Sequence, residues 1–98
     1  MLNWTHGENE CQEYYDVYVG KDYLCVFRNK WESFWMVMVR DRMIHNKTVN
    51  DRQRKKQGLP KEAPLHLLKR DCILTGEPEY LMKKAEYCYR HGKQEISE

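Results

Sequence analysis

Residues 14–43 read YYDVYVGKDYLCVFRNKWESFWMVMVRDRM, and this run decides the fold. Apolar and aromatic side chains alternate along it with a period of two, and turn residues break it into three parts. A first strand spans about Tyr14–Val19, with Tyr15, Val17 and Val19 on one side and Tyr14, Asp16 and Tyr18 on the other. Gly20-Lys21-Asp22 forms a short turn, because glycine tolerates positive φ and Asp bonds its own backbone. A second strand spans about Tyr23–Arg28, and Asn29-Lys30 opens the next turn. A third spans about Ser33–Arg40, with Trp35, Val37 and Val39 facing one way and Phe34, Met36 and Met38 the other. Turns this short force antiparallel neighbours, so the run predicts a meander.

Downstream, residues 48–57 have the composition of a polar helix, with Thr48 or Asn50 as its cap and Gly58 at its stop. Val49 is its only apolar residue, so a solvated helix or mobile loop is expected. Pro60 and Pro64 break the chain, and Pro64-Leu65-His66-Leu67-Leu68 offers a small anchor to tuck against the sheet. Cys72-Ile73-Leu74 is short enough for a fourth strand. Pro78 suits a first helical position, and Leu81, Met82, Ala85, Cys88 and Tyr89 then form a helical stripe that ends at Gly92. Residues 93–98 are expected to fray. The predicted class is α+β: a small antiparallel meander sheet of three to four strands with one C-terminal helix packed on one face. Residues 1–98 are expected to form a single domain. It comprises an acidic N-terminal arm (1–13), the meander (14–43), a basic irregular segment (44–71), a short strand plus helix (72–92) and a tail (93–98).

Three Trp, seven Tyr and two Phe supply the bulk for one modest core. No run is long enough for a membrane span, and the first residues lack the basic-then-apolar pattern of a signal peptide, so a cytoplasmic protein with no membrane association is expected. Cys11, Cys25, Cys72 and Cys88 are then expected as reduced thiols, and Asn3-Trp4-Thr5 and Asn46-Lys47-Thr48 as chance matches to a glycosylation acceptor. The net charge of +2 hides an asymmetry. Residues 1–16 carry four acids and no Lys or Arg, whereas residues 47–70 carry eight Lys or Arg against two acids.

Enzymatic chemistry finds little support in these residues. Cys88-x-x-His91 has the spacing of a metal knuckle, with Cys72, Cys11, His6 and His45 as further donors, but structural zinc normally needs two such close pairs. No metal or other cofactor is expected. A hairpin, a loop and a helix carrying Cys88 and His91 resemble the ββα-metal nucleases in outline, which implies His45 as general base and a metal-dependent nuclease-like enzyme as a third reading. This chain departs from that pattern: His45 is far from the helix in sequence, no second His adjoins it, and the helix carries CYRH. There is no nucleophile elbow and no phosphate-binding glycine loop. A non-enzyme is expected.

Two binding readings remain. Arg52, Arg54, Lys55 and Lys56 are spaced to meet successive phosphates, which makes a small nucleic-acid-binding protein the second reading. The first comes from the sheet. Tyr14, Tyr18, Tyr23, Phe27, Phe34, Met36 and Met38 share one side of the meander, while Val17, Val26, Trp35, Val37 and Val39 share the other. One helix covers one face, so an apolar face is left over. This predicts a small binding protein, of the kind phages and mobile elements encode, that inhibits or regulates a protein partner. Tyr14, Tyr18, Phe27, Trp31, Phe34 and Met36 would carry the contact, with self-association or an exposed edge strand as further routes. Everything turns on whether residues 44–70 fold back over that face.

Overall fold

The computed structural model of the chain describes residues 1–97. Five strands form one antiparallel meander in the order β1-β2-β3-β4-β5: Thr5–Glu8, Gln12–Val19, Asp22–Asn29, Met36–Val39 and Arg42–Met43. The central hairpin closes with Val19 opposite Asp22, and Gly20 at φ +63° supplies the positive angle of a two-residue turn. Sequence alternation predicts three to four strands. The additional ones are β1, donated by the acidic arm, and the two-residue β5 after the tight turn at Arg40-Asp41.

Helix α2, Pro78–His91, starts with Pro78 in its first turn and stops at Gly92 (φ +60°), as expected. It lays Leu81, Met82, Ala85 and Cys88 across β3 and β4, against Leu24, Val26, Val37 and Val39. Tyr15, Val17, Val19 and Trp35 complete this inner face. Trp4 joins the same core, so the N-terminal arm lies on the helix side of the sheet. Its indole Nε1 donates to Glu86 Oε2 at 2.8 Å and the Leu2 amide donates to the same oxygen at 3.0 Å.

The segment Cys72–Leu74 does not extend the meander. It flanks residues 44–46 instead: Leu74 N donates to Ile44 O (2.9 Å), Asn46 N donates to Cys72 O (2.8 Å), and Ile73 forms an isolated bridge with His45. On the other side, β6 (His45–Asn46) pairs in parallel with β7 (Glu95–Ile96). The tail expected to fray is therefore tied down, with Ile96 buried in the core; Glu98 lies outside the described residues.

Helix α1, Lys47–Gln57, corrects the reading of a solvated or mobile segment. Asn46, rather than Thr48 or Asn50, caps it by accepting from Val49 N at 3.3 Å, and Gly58 (φ +72°) ends it as expected. Its buried residues are polar. Asn50 is 0 % exposed, donating to Glu95 Oε2 (3.2 Å) and accepting from Cys72 N (2.8 Å). Arg54 is 3 % exposed and donates to Ala63 O, Asp51 Oδ1 and Glu95 Oε1 at 2.8, 2.8 and 3.0 Å. The helix thus packs on β6 and β7 through hydrogen bonds, where an apolar stripe would ordinarily serve. Residues 65–68 fasten to α1 through Gln57, which donates to Leu67 O and accepts from Lys69 N, not to the sheet.

Two measurements check this arrangement. Arg54→Ala should cost about 3 kcal/mol in urea unfolding, the low end for breaking a buried ion pair because Asp51 and Glu95 keep contact with water, while the exposed Arg52→Ala should cost under about 0.5 kcal/mol. Burial alone would raise the Glu86 carboxyl, but the Trp4 indole and Leu2 amide hold it below its ordinary value of 4.5. A depressed folded value means this stabilisation is complete above 4.5 and is lost as pH falls through the folded pKa. The stability difference between wild type and Glu86→Gln should therefore shrink as pH is lowered through the carboxylate range.

Candidate functional site

The strand register defines the second face of the sheet, because residues directly opposite in an antiparallel pair share a side. One row runs Gly7, Tyr14, Phe27, Met36 across β1 to β4. The next runs Thr5, Asp16, Cys25, Met38, Met43 across all five strands. A third pairs Tyr18 with Tyr23. Among the described residues neither helix packs on this outer face: α2 lies on the inner side and α1 on β6 and β7.

The rows are ordered by specific contacts. The Tyr14 ring lies over Gly7, where an added Cβ would come within 2.5 Å of it, so glycine is required for the ring to lie flat at the sheet edge. The Tyr18 and Tyr23 rings sit 4.9 Å apart, and Tyr23 Oη donates to Asp16 Oδ2 at 2.7 Å, which gives that carboxylate a partner on the face. Burial, and then the Asp16 acceptor, push the Tyr23 phenol well up. Burial likewise pushes the Cys25 thiol up to about 11.

Exposure divides the face into a shielded centre and an exposed rim. Cys25 and Met36 are buried beneath their neighbours, Met36 at 7 %, and Tyr14, Tyr23, Phe27, Met38 and Met43 are half-buried. Tyr18 (70 %) stands out beside them, and Trp31 (73 %) and Phe34 (41 %) are exposed on the connection between β3 and β4. Of the six predicted contact residues, five are therefore reachable from solvent, whereas Met36 is buried. Cys25 and Met43 complete the face. Cys25 could have been found from alternation with Tyr23 and Phe27; Met43 could not, because its side depends on the tight β4–β5 turn.

The basic segment fares differently. Arg52, Lys55 and Lys56 are exposed on α1, but Arg54 is buried in its ion pairs and withdrawn from any phosphate. The candidate metal ligands are scattered. Cys88 is buried in the core, with its thiol pushed up to about 11 by burial, and the His91 ring sits 4.3 Å from Tyr87. His45 is buried in β6 with Nδ1 3.3 Å from Asp71 Oδ2, close enough to feel its charge but outside hydrogen-bond geometry. Among the described residues no three His, Cys, Asp or Glu side chains converge on a point that would hold a metal ion. No helix among them is long and apolar enough to cross a membrane. Comparison of the chain with protein-family models, curated proteins and solved structures finds no match.

The rim residues should behave as surface. Tyr18→Ala, Trp31→Ala and Phe34→Ala should each change unfolding stability by under about 1 kcal/mol, whereas Leu24→Ala on the inner face should cost about 2–5 kcal/mol. Equal losses on both faces in urea titrations would mean that the outer face is core.

Proposed function

We propose that this chain is a non-enzymatic binding protein that seats a protein partner on the outer face of its sheet and inhibits or regulates that partner by occupying it. The observation that carries the reading is the apolar centre of the outer face, Tyr14, Cys25, Phe27, Met36, Met38 and Met43, on which neither helix packs among the described residues. Its composition suits a protein surface. Tyr, Trp and Met are enriched at interface cores, and exposed aromatic anchors such as Trp31, Tyr18 and Phe34 are typical carriers of binding energy. The unbranched thioethers of Met38 and Met43 adapt to an opposing surface.

The face is favoured over the sheet edges. The outermost strands have four and two residues, and β1 carries His6 and Glu8, devices that discourage strand addition. The thiols also favour binding over catalysis, since an activated cysteine needs a lowered pKa, while burial raises those of Cys25 and Cys88.

Capture from nuclease-treated lysate of the native host tests the reading. Wild-type bait should recover a protein that the folded double variant Tyr18→Glu/Phe34→Glu does not. Recovery of the same proteins by both baits would remove the outer face from the function.

A further inference from the structure

The stripe that seats α2 on the sheet leaves Lys83, Lys84, Tyr87 and Arg90 to line a groove along the helix, joined by Tyr80, which also packs against the core. With β7 and the start of α1, these residues enclose a volume of about 710 Å³. That is within the range of small-ligand sites, which run from roughly 300 to 1,000 Å³. Apart from Lys47, the cations lining the groove lie outside the basic 47–70 segment, so the sequence reading missed the group; it needed the helix and the returning tail to assemble.

Among the described residues the charge lining the groove is one-sided. Among the described residues Lys83, Lys84, Arg90 and Lys93 form no ion pair with a carboxylate, in contrast to Arg28, Lys30, Arg40 and Arg54. The groove's own acid, Glu95, is occupied by Arg54 at 3.0 Å and Asn50 at 3.2 Å. Lys47, at the groove's edge, is occupied by Asp51 at 3.0 Å. Glu86 is held by Trp4 and Leu2, and Arg90 acts on it only through its charge, without an ion pair. Unpaired cations in a concavity with an apolar floor concentrate positive potential there. From Lys83 to Arg90 they extend about 10 Å along the helix, enough to meet more than one phosphate.

Aromatic rings lie among these cations. Lys84 Nζ stands 5.1 Å over the Tyr80 ring and Lys93 Nζ 5.6 Å over the Tyr87 ring. Tyr87 is 36 % exposed and its ring centroid is 4.3 Å from that of His91. A surface that reads negative charge alone has no use for such rings, whereas a base stacks on them while its phosphates meet the ammonium groups.

We propose that this groove is a second binding site, for single-stranded nucleic acid. Lys83, Lys84, Arg90 and Lys93 contact phosphates, and a base takes the place over Tyr87 that Lys93 Nζ now holds. This site uses the helix layer and does not depend on the outer sheet face.

Fluorescence anisotropy with a labelled oligothymidylate tests it. Binding at low salt should weaken as salt rises, with a logarithmic slope of about −3 for four phosphate contacts on a single strand. Lys83→Gln/Arg90→Gln and Lys83→Glu/Arg90→Glu should each weaken binding at least about tenfold. Tyr87→Ala should cost about tenfold. Arg52→Glu/Lys55→Glu/Lys56→Glu on α1 should leave most of the affinity, as should Tyr18→Glu/Phe34→Glu, with circular dichroism confirming that each variant is folded. No binding at low salt, or an equal loss from the α1 variant, would overturn the proposal. So would competition by polyglutamate as strong as by unlabelled oligonucleotide with Tyr87→Ala unaffected, which would mark a groove that reads charge and serves an acidic protein.

Discussion

A sheet with two apolar faces and a single amphipathic helix to lay against them sets the terms for the rest of this molecule. Helix α2 has one stripe, Leu81, Met82, Ala85 and Cys88, and it goes to the inner face, where Leu24, Val26, Val37 and Val39 await it. Burial of these side chains drives folding, since each fully buried aliphatic chain contributes on the order of 1.5–3 kcal/mol. Nothing comparable is left for Tyr14, Tyr18, Tyr23, Phe27, Met38 and Met43. The outer face instead covers part of itself, ring over glycine at Gly7 and ring beside ring at Tyr18 and Tyr23, and presents the remainder to solvent.

The second helix does not resolve this imbalance, because Val49 is its only apolar residue and a polar clasp seats it elsewhere. Glu95, on the returning tail, holds both Asn50 and Arg54, and Asn50 in turn holds the amide of Cys72. Three distant parts of the chain meet there, which fixes α1 against β6 and β7 and away from the sheet. The same clasp occupies Glu95 beside the α2 groove, so among the described residues Lys83, Lys84, Arg90 and Lys93, which form no ion pair, dominate that side. The two proposed surfaces thus follow from one arrangement of the tail.

What was legible in the sequence was whatever depends on local pattern. Period-two alternation sorted Val17, Val26, Val37 and Val39 from Tyr14, Phe27 and Met38 correctly, and Pro78, Gly58 and Gly92 marked helix ends by their backbone preferences. Hydrophobic periodicity is blind to polar burial, and so Asn50 read as a cap and Arg54 as a phosphate contact when both are interior. Strand β1 was invisible because Thr5, His6, Gly7 and Glu8 show no apolar alternation; it exists through pairing with β2. Two-residue strands such as β6 and β7 carry no pattern at all. Alternation placed Met36 on the outer side and could have placed Cys25 there, whereas the burial of both, and the basic groove, required the folded chain.

The central claim is that the outer face of the sheet is open to solvent in the isolated chain. Paramagnetic relaxation by a soluble probe, read by NMR on methyl and ring signals, measures this directly. Tyr18, Phe34, Met38 and Met43 should relax strongly while Leu24, Val26, Val37 and Leu81 remain protected. Protection of the outer-face signals equal to that of the inner face would show that the face is already covered, and would contradict the account.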